Sequence, residues 1–543
     1  MVNTVVIGGG VGGLTAAQEL TERGIDVTVF ERNDRFGGKA RSMPIMDDPD
    51  AVHGEHGFRF FPAYYQHVLD TMNRIPDSNG TVADNLVETE ATLIAEIDTP
   101  GRVVETTQPQ TLQDWVDTLQ PAFAEDLPRR DVRFLIERLL YLLTSCDRRR
   151  EEQLDNISWW DFIDADNRSQ EFQDRLAFAV QSLVALQPQR GSARTVGTIY
   201  LQLLFGQLNP TKPAERILSG PTNITWIDPW TEYLQDQGVT LSLNTTVSDI
   251  LFDTQTETIT GIELANGETV TADEYVLATP VEGTPQLLTP EMTAAAPELD
   301  GVDQLDTAWM NGIQFYLSED VSITKGHQVY ADSPWALTSI SQRQFWSSYD
   351  IDAAVPEAAT GVLSVIASDW ETPGMIHDKP ARDCTREEIV EEVWAQLKAH
   401  LDDVEPQLTD DILVDWFLDP ELHETETGVK NNAPLLINTV GSLKHRPPAN
   451  PDIANLTLAS DYVHTNSDLA SMESANEAGR RAANAILKRH GHDATASIWS
   501  LEEPRVFEPF KKQDQIRYRL GLPHPAETVN SLRSVASRLR NTA

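Results

Sequence analysis

Cysteine and long apolar runs are both scarce in this 543-residue chain. Its two cysteines, Cys146 and Cys384, are too few for a disulfide framework or a cysteine metal cluster, which favours a reducing compartment. No apolar run approaches the roughly 18 residues that a membrane-spanning helix needs. A glycine motif begins almost at Met1 and leaves no room for a signal peptide. We therefore expect a cytoplasmic protein without a transmembrane helix.

Basic residues are also scarce. There are 42 Lys and Arg against 84 Asp and Glu, for a net charge of −42, and only ten of the basic residues are lysine. Nucleic-acid binding is excluded as the main role because contact with phosphates needs a basic surface. High acidity with little lysine is typical of proteins in concentrated salt, which screens the self-repulsion of such a charge. We favour a halophilic cytoplasm over an ordinary acidic one.

The first 31 residues combine an apolar strand at 5–7, a glycine-rich turn, a helix and a second strand at 27–30. In this pattern Gly8 makes a tight turn, Gly10 lets the backbone approach a pyrophosphate, and Gly13 lets helix and strand pack closely. The helix N-terminus offers free N–H groups to phosphates. Glu31, 18 residues after Gly13, is placed to bind a ribose 2′-hydroxyl, which disfavours NADP. The pattern predicts a Rossmann-like dinucleotide-binding domain.

Three further segments favour FAD over NAD: RFGGKARS at 35–42, HGEHGFRFFPAYY at 53–65, and a strand and helix at 455–481 containing ASDY and LASMESA. They resemble the second glycine motif, the flavin-proximal motif and the C-terminal flavin motif of the flavin amine oxidase and carotenoid desaturase superfamily. The middle segment is most similar to the plant-type phytoene and zeta-carotene desaturases. Departures are Arg59, where that branch usually has His, and Ser460 and Ser474, which replace glycines.

The resemblance implies non-covalent FAD, since no cysteine lies near the C-terminal motif. It places Arg59, Tyr65 and Met472 near the flavin ring, where a cation would stabilise an anionic reduced ring. The flavin would carry the chemistry, so no separate catalytic side chain is assigned. His53 and His56 lack further ligands, and no metal site is expected. The residues expected to contact FAD are Gly8, Gly10, Val11, Gly12, Gly13, Glu31, Arg32, Gly37, Gly38, Lys39, Phe58, Arg59, Phe60, Tyr65, Val247, Asp461, Ala470 and Met472.

The expected fold is α/β, with a Rossmann-like FAD-binding domain of the glutathione-reductase type interleaved with an α+β substrate domain. The FAD-binding domain would comprise residues 1–75, 216–285 and 441–490. The substrate domain would comprise a mainly helical segment, 76–215, and a segment of sheet and helices, 286–440, with an acidic helix at 386–400. The tail, 491–543, has eight basic and six acidic residues. A helix predicted at 527–540 would dock on the acidic body or contact an anionic membrane.

The resemblance implies FAD-dependent hydride abstraction from a long apolar isoprenoid, as in carotenoid desaturation, with electrons passed to a quinone or O₂. Thr225 takes the place of an Arg that plant-type desaturases use, so the substrate and the acceptor stay open. An amine oxidase is the first alternative, with Lys325 or Lys430 near the flavin and Tyr462 in an aromatic cage. A redox-neutral isomerase or a lipid-binding flavoprotein is the second. There are apolar stretches at 132–143, 176–186 and 199–205. They belong to the core, or else they form the wall of a substrate tunnel or a patch that dips into a membrane.

Overall fold

A computed structural model describes residues 2–48, 51–78, 80–105, 128–174, 179–207, 209, 212–354, 356, 358–402 and 408–527. The strands of the first half are β1 (Asn3–Ile7), β2 (Asp26–Phe30), β3 (Ser42–Pro44), β4 (His53–Glu55), β5 (Phe60–Pro62), β6 (Pro76–Asp77), β7 (Gly80–Thr81), β8 (Leu86–Glu88), β9 (Ala91–Glu96), β10 (Thr99–Glu105), β11 (Glu215–Leu218), β12 (Thr240–Ser242), β13 (Val247–Asp253), β14 (Thr258–Leu264), β15 (Thr269–Val270) and β16 (Glu274–Leu277).

The remaining strands follow in the second half, and the helices are spread along the chain. The strands are β17 (Thr307–Ala308), β18 (Asn311–Leu317), β19 (Gln328–Tyr330), β20 (Thr338–Ser341), β21 (Gly361–Ala367), β22 (Leu413–Leu418), β23 (Leu422–Thr425), β24 (Gly428–Asn431), β25 (Leu435–Leu436) and β26 (Leu456–Leu458). The helices are α1 (Val11–Thr21), α2 (His67–Arg74), α3 (Arg129–Thr144), α4 (Asp147–Arg149), α5 (Trp159–Phe162), α6 (Gln170–Phe172), α7 (Ala179–Val184), α8 (Ala193–Gln207), α9 (Asp228–Asp236), α10 (Pro290–Ala295), α11 (Arg386–His400), α12 (Met472–Arg489) and α13 (Glu508–Arg519).

The glycine motif sits at the end of the central strand of a five-stranded parallel sheet, ordered β12-β2-β1-β16-β26. The predicted strand–helix–strand unit is confirmed as β1, α1 and β2. Leu14 and Leu20 of α1 are fully buried, and Ile486 of α12 lies in the same core. Gly24 follows the helix with φ +80°. The carboxyl ends of these strands therefore meet at the helix N-terminus, where ligands bind in such sheets.

A small antiparallel sheet, β13-β14-β15, lies in the middle of the chain. Its β14–β15 turn contains Asn266 and Gly267, and Gly267 adopts φ +85°, a conformation that glycine accommodates without strain. The chain then returns to the parallel sheet as β16, between β1 and β26. Val247 begins β13, shortly after β12, the edge strand of the dinucleotide-binding sheet.

A second, seven-stranded sheet has the order β10-β9-β19-β20-β21-β18-β22; β9 and β19 pair in parallel, and the other described pairs are antiparallel. The predicted acidic helix is confirmed as α11, with a capping box at Thr385 and Glu388. Ile389, Val393 and Leu397 of α11 pack in the core shared with this sheet. Ile366 of β21 belongs to a different core, which includes Phe58 of the flavin-proximal segment.

Residues 76–105 form the short strands β6 to β10, and the helical layer of the 76–215 segment runs from α3 to α8. In the tail, Asp514 of α13 is buried and pairs with Arg149 at 2.9 Å, and Glu503 pairs with Arg150 at 2.5 Å. This part of the tail is therefore docked on the helical layer. The helix predicted at 527–540 lies almost wholly outside the described residues. Among the described helices, none has the length and apolarity to cross a bilayer.

Candidate functional site

The turn between β1 and α1 is packed so tightly that its glycines have no room for side chains, except at Gly10. An added Cβ would lie 2.0 Å from the carbonyl oxygen of Ala459 at Gly12 and 2.0 Å from that of Gly8 at Gly13. At Gly10 the nearest atom would be the Cα of Gly38, 3.8 Å away. Gly10 therefore borders open space just before α1, where free N–H groups can face an anion.

The second glycine motif lies directly on the first. The N–H of Gly37 donates to the carbonyl oxygen of Gly9 at 2.9 Å, and Gly10 and Gly37 form an isolated parallel bridge. Lys39, two residues on, is not a free cation: its ammonium pairs with Glu282 at 2.9 Å and donates to the carbonyl oxygen of Pro434. The two motifs thus form a single backbone cradle, with the charge of Lys39 neutralised at its rim.

Glu31 is oriented by the same turn. It is buried, and one carboxylate oxygen accepts the N–H of Gly9 at 2.8 Å. The other oxygen accepts the backbone and side-chain N–H groups of Asn33 at 2.9 and 2.7 Å. These bonds fix the carboxylate at the end of β2, with lone pairs left for a hydroxyl ligand.

The flavin-proximal segment brings a half-buried cation against the cradle. One Arg59 Nη donates to the carbonyl oxygen of Lys39 at 2.5 Å, and the buried Nε has no hydrogen-bond partner in the described part of the chain. Burial lowers the pKa of Arg59, and the nearby carboxyl groups of Glu55 and Asp419 oppose that shift. An unsatisfied, buried guanidinium N–H is costly, so Arg59 is suited to receive an acceptor atom from a ligand.

Glu55 lies behind Arg59 and is nearly inaccessible to solvent. Its two carboxyl oxygens accept the backbone N–H and the hydroxyl of Thr222, both at 2.8 Å. Burial raises the pKa of Glu55 to about 7, although the guanidinium of Arg59 and the Thr222 bonds act in the opposite direction. The carboxyl therefore changes charge near neutral pH.

The C-terminal motif supplies a second helix N-terminus at the cavity and also supports the flavin-proximal segment. Ser471 caps α12 by accepting the N–H of Ser474 at 3.2 Å. Glu473 is buried and accepts the N–H groups of Gln66, His67 and Val68 at 2.8 to 3.0 Å. Glu473 therefore caps α2 from another part of the chain and fixes the residues that follow Tyr65.

The loop between β26 and α12 is held by a buried cluster that sequence reasoning missed. Arg446 donates to the carbonyl oxygens of Asp461 and Val463 at 2.6 and 2.8 Å and pairs with Asp468. Asp468 also pairs with Arg194 of α8. Burial acts to raise the pKa of Asp468, but the guanidinium groups of Arg194 and Arg446 act against it, and the pKa is lowered. The cluster ties the helical layer to the loop that carries Asp461.

One cavity of about 560 Å³ joins these parts. All the predicted cofactor residues except Gly13 line it, and Gly13 instead packs under Gly8. The predicted residues on its wall are Gly8, Gly10, Val11, Gly12, Glu31, Arg32, Gly37, Gly38, Lys39, Phe58, Arg59, Phe60, Tyr65, Val247, Asp461, Ala470 and Met472.

The same cavity has an apolar part, which we call the apolar chamber. We use this name for the part lined by Leu183 and Val184 of α7, Ile199 and Leu203 of α8, Met310, and Ile366 of β21. A polar residue also lies in this region: His327, whose ring contacts the edges of Phe58 and Phe60 at 5.1 Å between centroids. No sequence signal marked His327.

The side chains considered for an amine oxidase lie elsewhere. Lys325 is half-buried and pairs with Glu90 at 2.5 Å. Lys430 borders a second, polar pocket that shares Glu282 and Glu421 with the main cavity, but Lys430 itself is not on the wall of that cavity. Tyr462 is fully buried, and its hydroxyl accepts the Thr284 hydroxyl at 3.2 Å. Within the described residues, Lys39 is the lysine on the wall of the main cavity. Thr225 is buried and donates to the carbonyl oxygen of Pro221, also away from that wall.

Comparison with known proteins identifies the family. A model for flavin containing amine oxidoreductases matches residues 11–487. The chain belongs to this family. Over 512 residues it is 25% identical to the probable zeta-carotene desaturase of Synechococcus elongatus, covering 90% of this chain and 99% of that protein. Over 501 residues it is 26% identical to the carotenoid phi-ring synthase of Streptomyces griseus, covering 90% of this chain and 88% of that protein.

Solved structures of the family confirm the fold. The cyclohexylamine oxidase from Brevibacterium oxydans IH-35A superposes with a TM-score of 0.59 at 15% identity, covering 90% of this chain and 100% of that one. The superfamily resemblance and the α/β fold predicted from the sequence are thus confirmed. This flavoprotein is an FAD-dependent oxidoreductase.

Proposed function

We propose that this flavoprotein binds FAD non-covalently in the cavity and dehydrogenates a long apolar isoprenoid, in a reaction of the carotenoid desaturation type. The observation that carries the proposal is the apolar chamber, which is continuous with the glycine cradle. Both carotenoid enzymes reported above match nearly the full chain. An apolar chain would be desolvated in the chamber, with one of its C–H bonds brought to the flavin.

The residues of the cavity fit FAD. In this proposal the open backbone at Gly10 and the α1 N-terminus receive the pyrophosphate, Glu31 the ribose, and Val247 the adenine. Asp461 and the α12 N-terminus receive the ribityl and ring portions, and the free N–H of Arg59 receives an acceptor atom of the ring. When bound, the flavin supplies the hydride acceptor, and the other predicted wall residues surround it. No cysteine lies near this wall, which supports non-covalent binding.

The interleaved domains form part of the proposal. The parallel sheet takes all its strands from 1–75, 216–285 and 441–490, and the seven-stranded sheet takes its strands from 76–215 and 286–440. We assign the first set to FAD and the second to substrate. The chamber then lies where the helical layer and the second sheet meet the flavin site.

We further propose that the reduced flavin passes its electrons to a quinone or O₂. The protein would work in a saline cytoplasm, where it would be in peripheral contact with a membrane. The support for this contact is the outer face of the docked tail. Phe510, Ile516 and Leu520 are exposed there, beside the cations Lys512 and Arg519, on a chain whose net charge is −42. Exposed apolar and basic side chains on one helix suit an anionic bilayer surface.

An amine oxidase is the second candidate, favoured by the structural neighbours. Against it, the carboxylates of Glu282 and Glu421 on the cavity wall are already paired with Lys39 and Arg41. An ammonium substrate entering the apolar chamber would lose its hydration without gaining a charge partner. The chamber therefore favours the isoprenoid.

Replacing Arg59 by Met should make the bound flavin harder to reduce. A unit charge about 4 Å from the ring contributes about 4 kcal/mol at the effective dielectric of a partly buried site, or about 90 mV for a two-electron couple. We expect the midpoint potential of Arg59→Met to fall by about that amount, and Arg59→Lys to retain most of the wild-type value. Spectroelectrochemistry measures both, and an unchanged potential in Arg59→Met would place the ring elsewhere.

Replacing Leu203 by Trp should narrow the chamber without disturbing the flavin. The added ring fills space that the substrate chain needs, so kcat/KM for a long isoprenoid should fall at least about tenfold. Flavin content and absorbance should stay at the wild-type level. If turnover of the isoprenoid is unaffected, the chamber is not its binding site.

The substrate class is tested by anaerobic flavin bleaching in molar KCl. Carotenoid and squalene-type isoprenoids in detergent are compared with a panel of amines. Bleaching by isoprenoids is the expected result, and bleaching by amines alone would establish the second candidate. If neither class bleaches a tightly bound flavin, a redox-neutral isomerase or a lipid-binding flavoprotein becomes the better assignment.

A further inference from the structure

A histidine–carboxylate pair lies in the wall of the cavity where it enters the apolar chamber. The Nδ1 of His327 is 2.7 Å from a carboxylate oxygen of Glu215. His327 is 6% exposed, and its Nε2 makes no hydrogen bond within the described residues. Because Nδ1 must carry a proton to donate to the carboxylate, the neutral ring presents a free lone pair at Nε2.

The surrounding sheets hold this pair rigidly. Glu215 begins β11, which runs antiparallel to β5 with Glu215 opposite Pro62. His327 directly precedes β19, which pairs with β9 and β20. Phe58 and Phe60 pack edge-on against the imidazole. The ring is thus fixed between the flavin-proximal segment and the substrate-side sheet.

We propose that Nε2 of His327 is the base that accepts the substrate proton during dehydrogenation, and that Glu215 is a positioning residue. This inference rests on the proposed function. Forming a double bond removes a hydride from one carbon and a proton from its neighbour. The hydride, with its electron pair, goes to the oxidised flavin. The electrons of the second C–H bond become the new π bond, and the proton passes to Nε2, where the resulting imidazolium is paired with Glu215.

The other histidine and the nearby carboxylates on the described part of the wall match this role less well. His56 also lines the cavity, but it lies 2.7 Å from Asp419 within a polar group that includes Asn311. Glu282 and Glu421 are paired with cations. Among the histidines on the described part of the wall, His327 is the one that combines a free ring nitrogen with the apolar neighbours Phe58 and Phe60, where an uncharged hydrocarbon would lie.

The test uses five variants of the holoenzyme: His327→Gln, His327→Ala, Glu215→Gln, His56→Gln and His400→Gln. His327→Gln removes the base, and Glu215→Gln removes the charge that stabilises the imidazolium. His400→Gln is the matched control, because His400 is also buried and bonded to a carboxylate, Asp332 at 2.9 Å, but lies outside the cavity wall. Flavin reduction by an isoprenoid is followed anaerobically. Binding of the same isoprenoid is measured on enzyme already reduced with dithionite, in which no oxidation can occur.

We expect His327→Gln to slow flavin reduction by about a hundredfold or more and Glu215→Gln by about tenfold. The dissociation constant on reduced enzyme should stay within about threefold of the wild-type value, and His400→Gln should behave as wild type. The isotope effect from deuterium at the carbon that loses the proton should rise in His327→Gln. Added imidazole should partly restore the rate of His327→Ala.

Three outcomes would overturn the proposal. Reduction of His327→Gln at the wild-type rate shows that its ring is not the base. Loss of rate in His56→Gln, with His327→Gln unaffected, assigns the role to His56. If wild-type flavin is not reduced by any isoprenoid, the proposed function fails and this inference fails with it.

Discussion

Gly10→Val should produce a folded chain that has lost its flavin. Position 10 has φ −77° and open space around the missing Cβ, so a valine fits the protein itself. Its methyl groups would occupy the space that the cradle leaves for a pyrophosphate. We expect flavin affinity to fall by at least about a thousandfold, or about 4 kcal/mol, measured by flavin release and by titration of the deflavinated chain.

Gly12 provides the contrast, because it has no room for a side chain even without a ligand. A Cβ at Gly12 would lie 2.0 Å from the carbonyl oxygen of Ala459, so Gly12→Ala should impair folding itself, whether or not flavin is present. Circular dichroism separates the two effects. A folded Gly10→Val protein that still copurifies with stoichiometric flavin would show that the phosphates do not approach the backbone at this turn.

Glu55→Gln should remove one component of the pH dependence of stability. Because burial raises the pKa of Glu55 from 4.5 to about 7, the folded chain binds a proton more tightly there than the unfolded chain does. The stability that this proton confers is complete below about pH 4.5 and is lost as pH rises through about 7. From pH 5 to pH 8 the neutral amide variant should therefore gain about 3 kcal/mol of stability relative to wild type.

The measurement is the difference in unfolding free energy between wild type and Glu55→Gln, in molar KCl, from pH 5 to 8. The difference isolates Glu55 from the many other carboxyl groups that titrate in this acidic chain. Glu19 is a suitable control, because it is also buried but is paired with Arg23 and Arg74. Glu19→Gln should therefore destabilise the protein at pH 8, the opposite sign. An equal difference at all pH values for Glu55→Gln would contradict the account.

The elements that the sequence predicted correctly are those with a local signal. The turn at Gly8 and the two flanking strands follow from hydrophobic periodicity and glycine positions. The helix at 386–400 has an N-cap threonine and a Glu three residues later. The motifs at 35–42, 53–65 and 455–481 each have a recognisable pattern, and the cavity wall contains nearly all the residues selected from them.

The interactions that the sequence did not reveal join residues far apart along the chain. Glu473 caps a helix that begins 406 residues earlier, and Lys39 is neutralised by Glu282, 243 residues away. The pairing of His327 with Glu215 is of the same kind. Each depends on the arrangement of whole sheets, which a single sequence without an alignment does not encode as a local pattern.

The strands at the start of the 76–215 segment also lack a local sequence signal. The sequence predicts a mainly helical segment at 76–215, which contains the strongly apolar stretches 132–143, 176–186 and 199–205. Its first part contributes β9 and β10 to the substrate-side sheet, where β9 pairs in parallel with β19. Short strands completed by distant partners carry little signal of their own. The docked helix α13 was also missed, since its buried contact is a single acidic residue, Asp514.

The central claim is that the cavity holds a flavin that removes two hydrogens from a long apolar chain. The most direct test is a single anaerobic turnover of the holoenzyme with an acyclic polyene isoprenoid in molar KCl, recording flavin absorbance and product mass together. The account predicts one equivalent of bleached flavin for each product molecule, with the product lighter than the substrate by two hydrogen atoms. A product of unchanged mass, or flavin bleached by amines and by no isoprenoid, would contradict it.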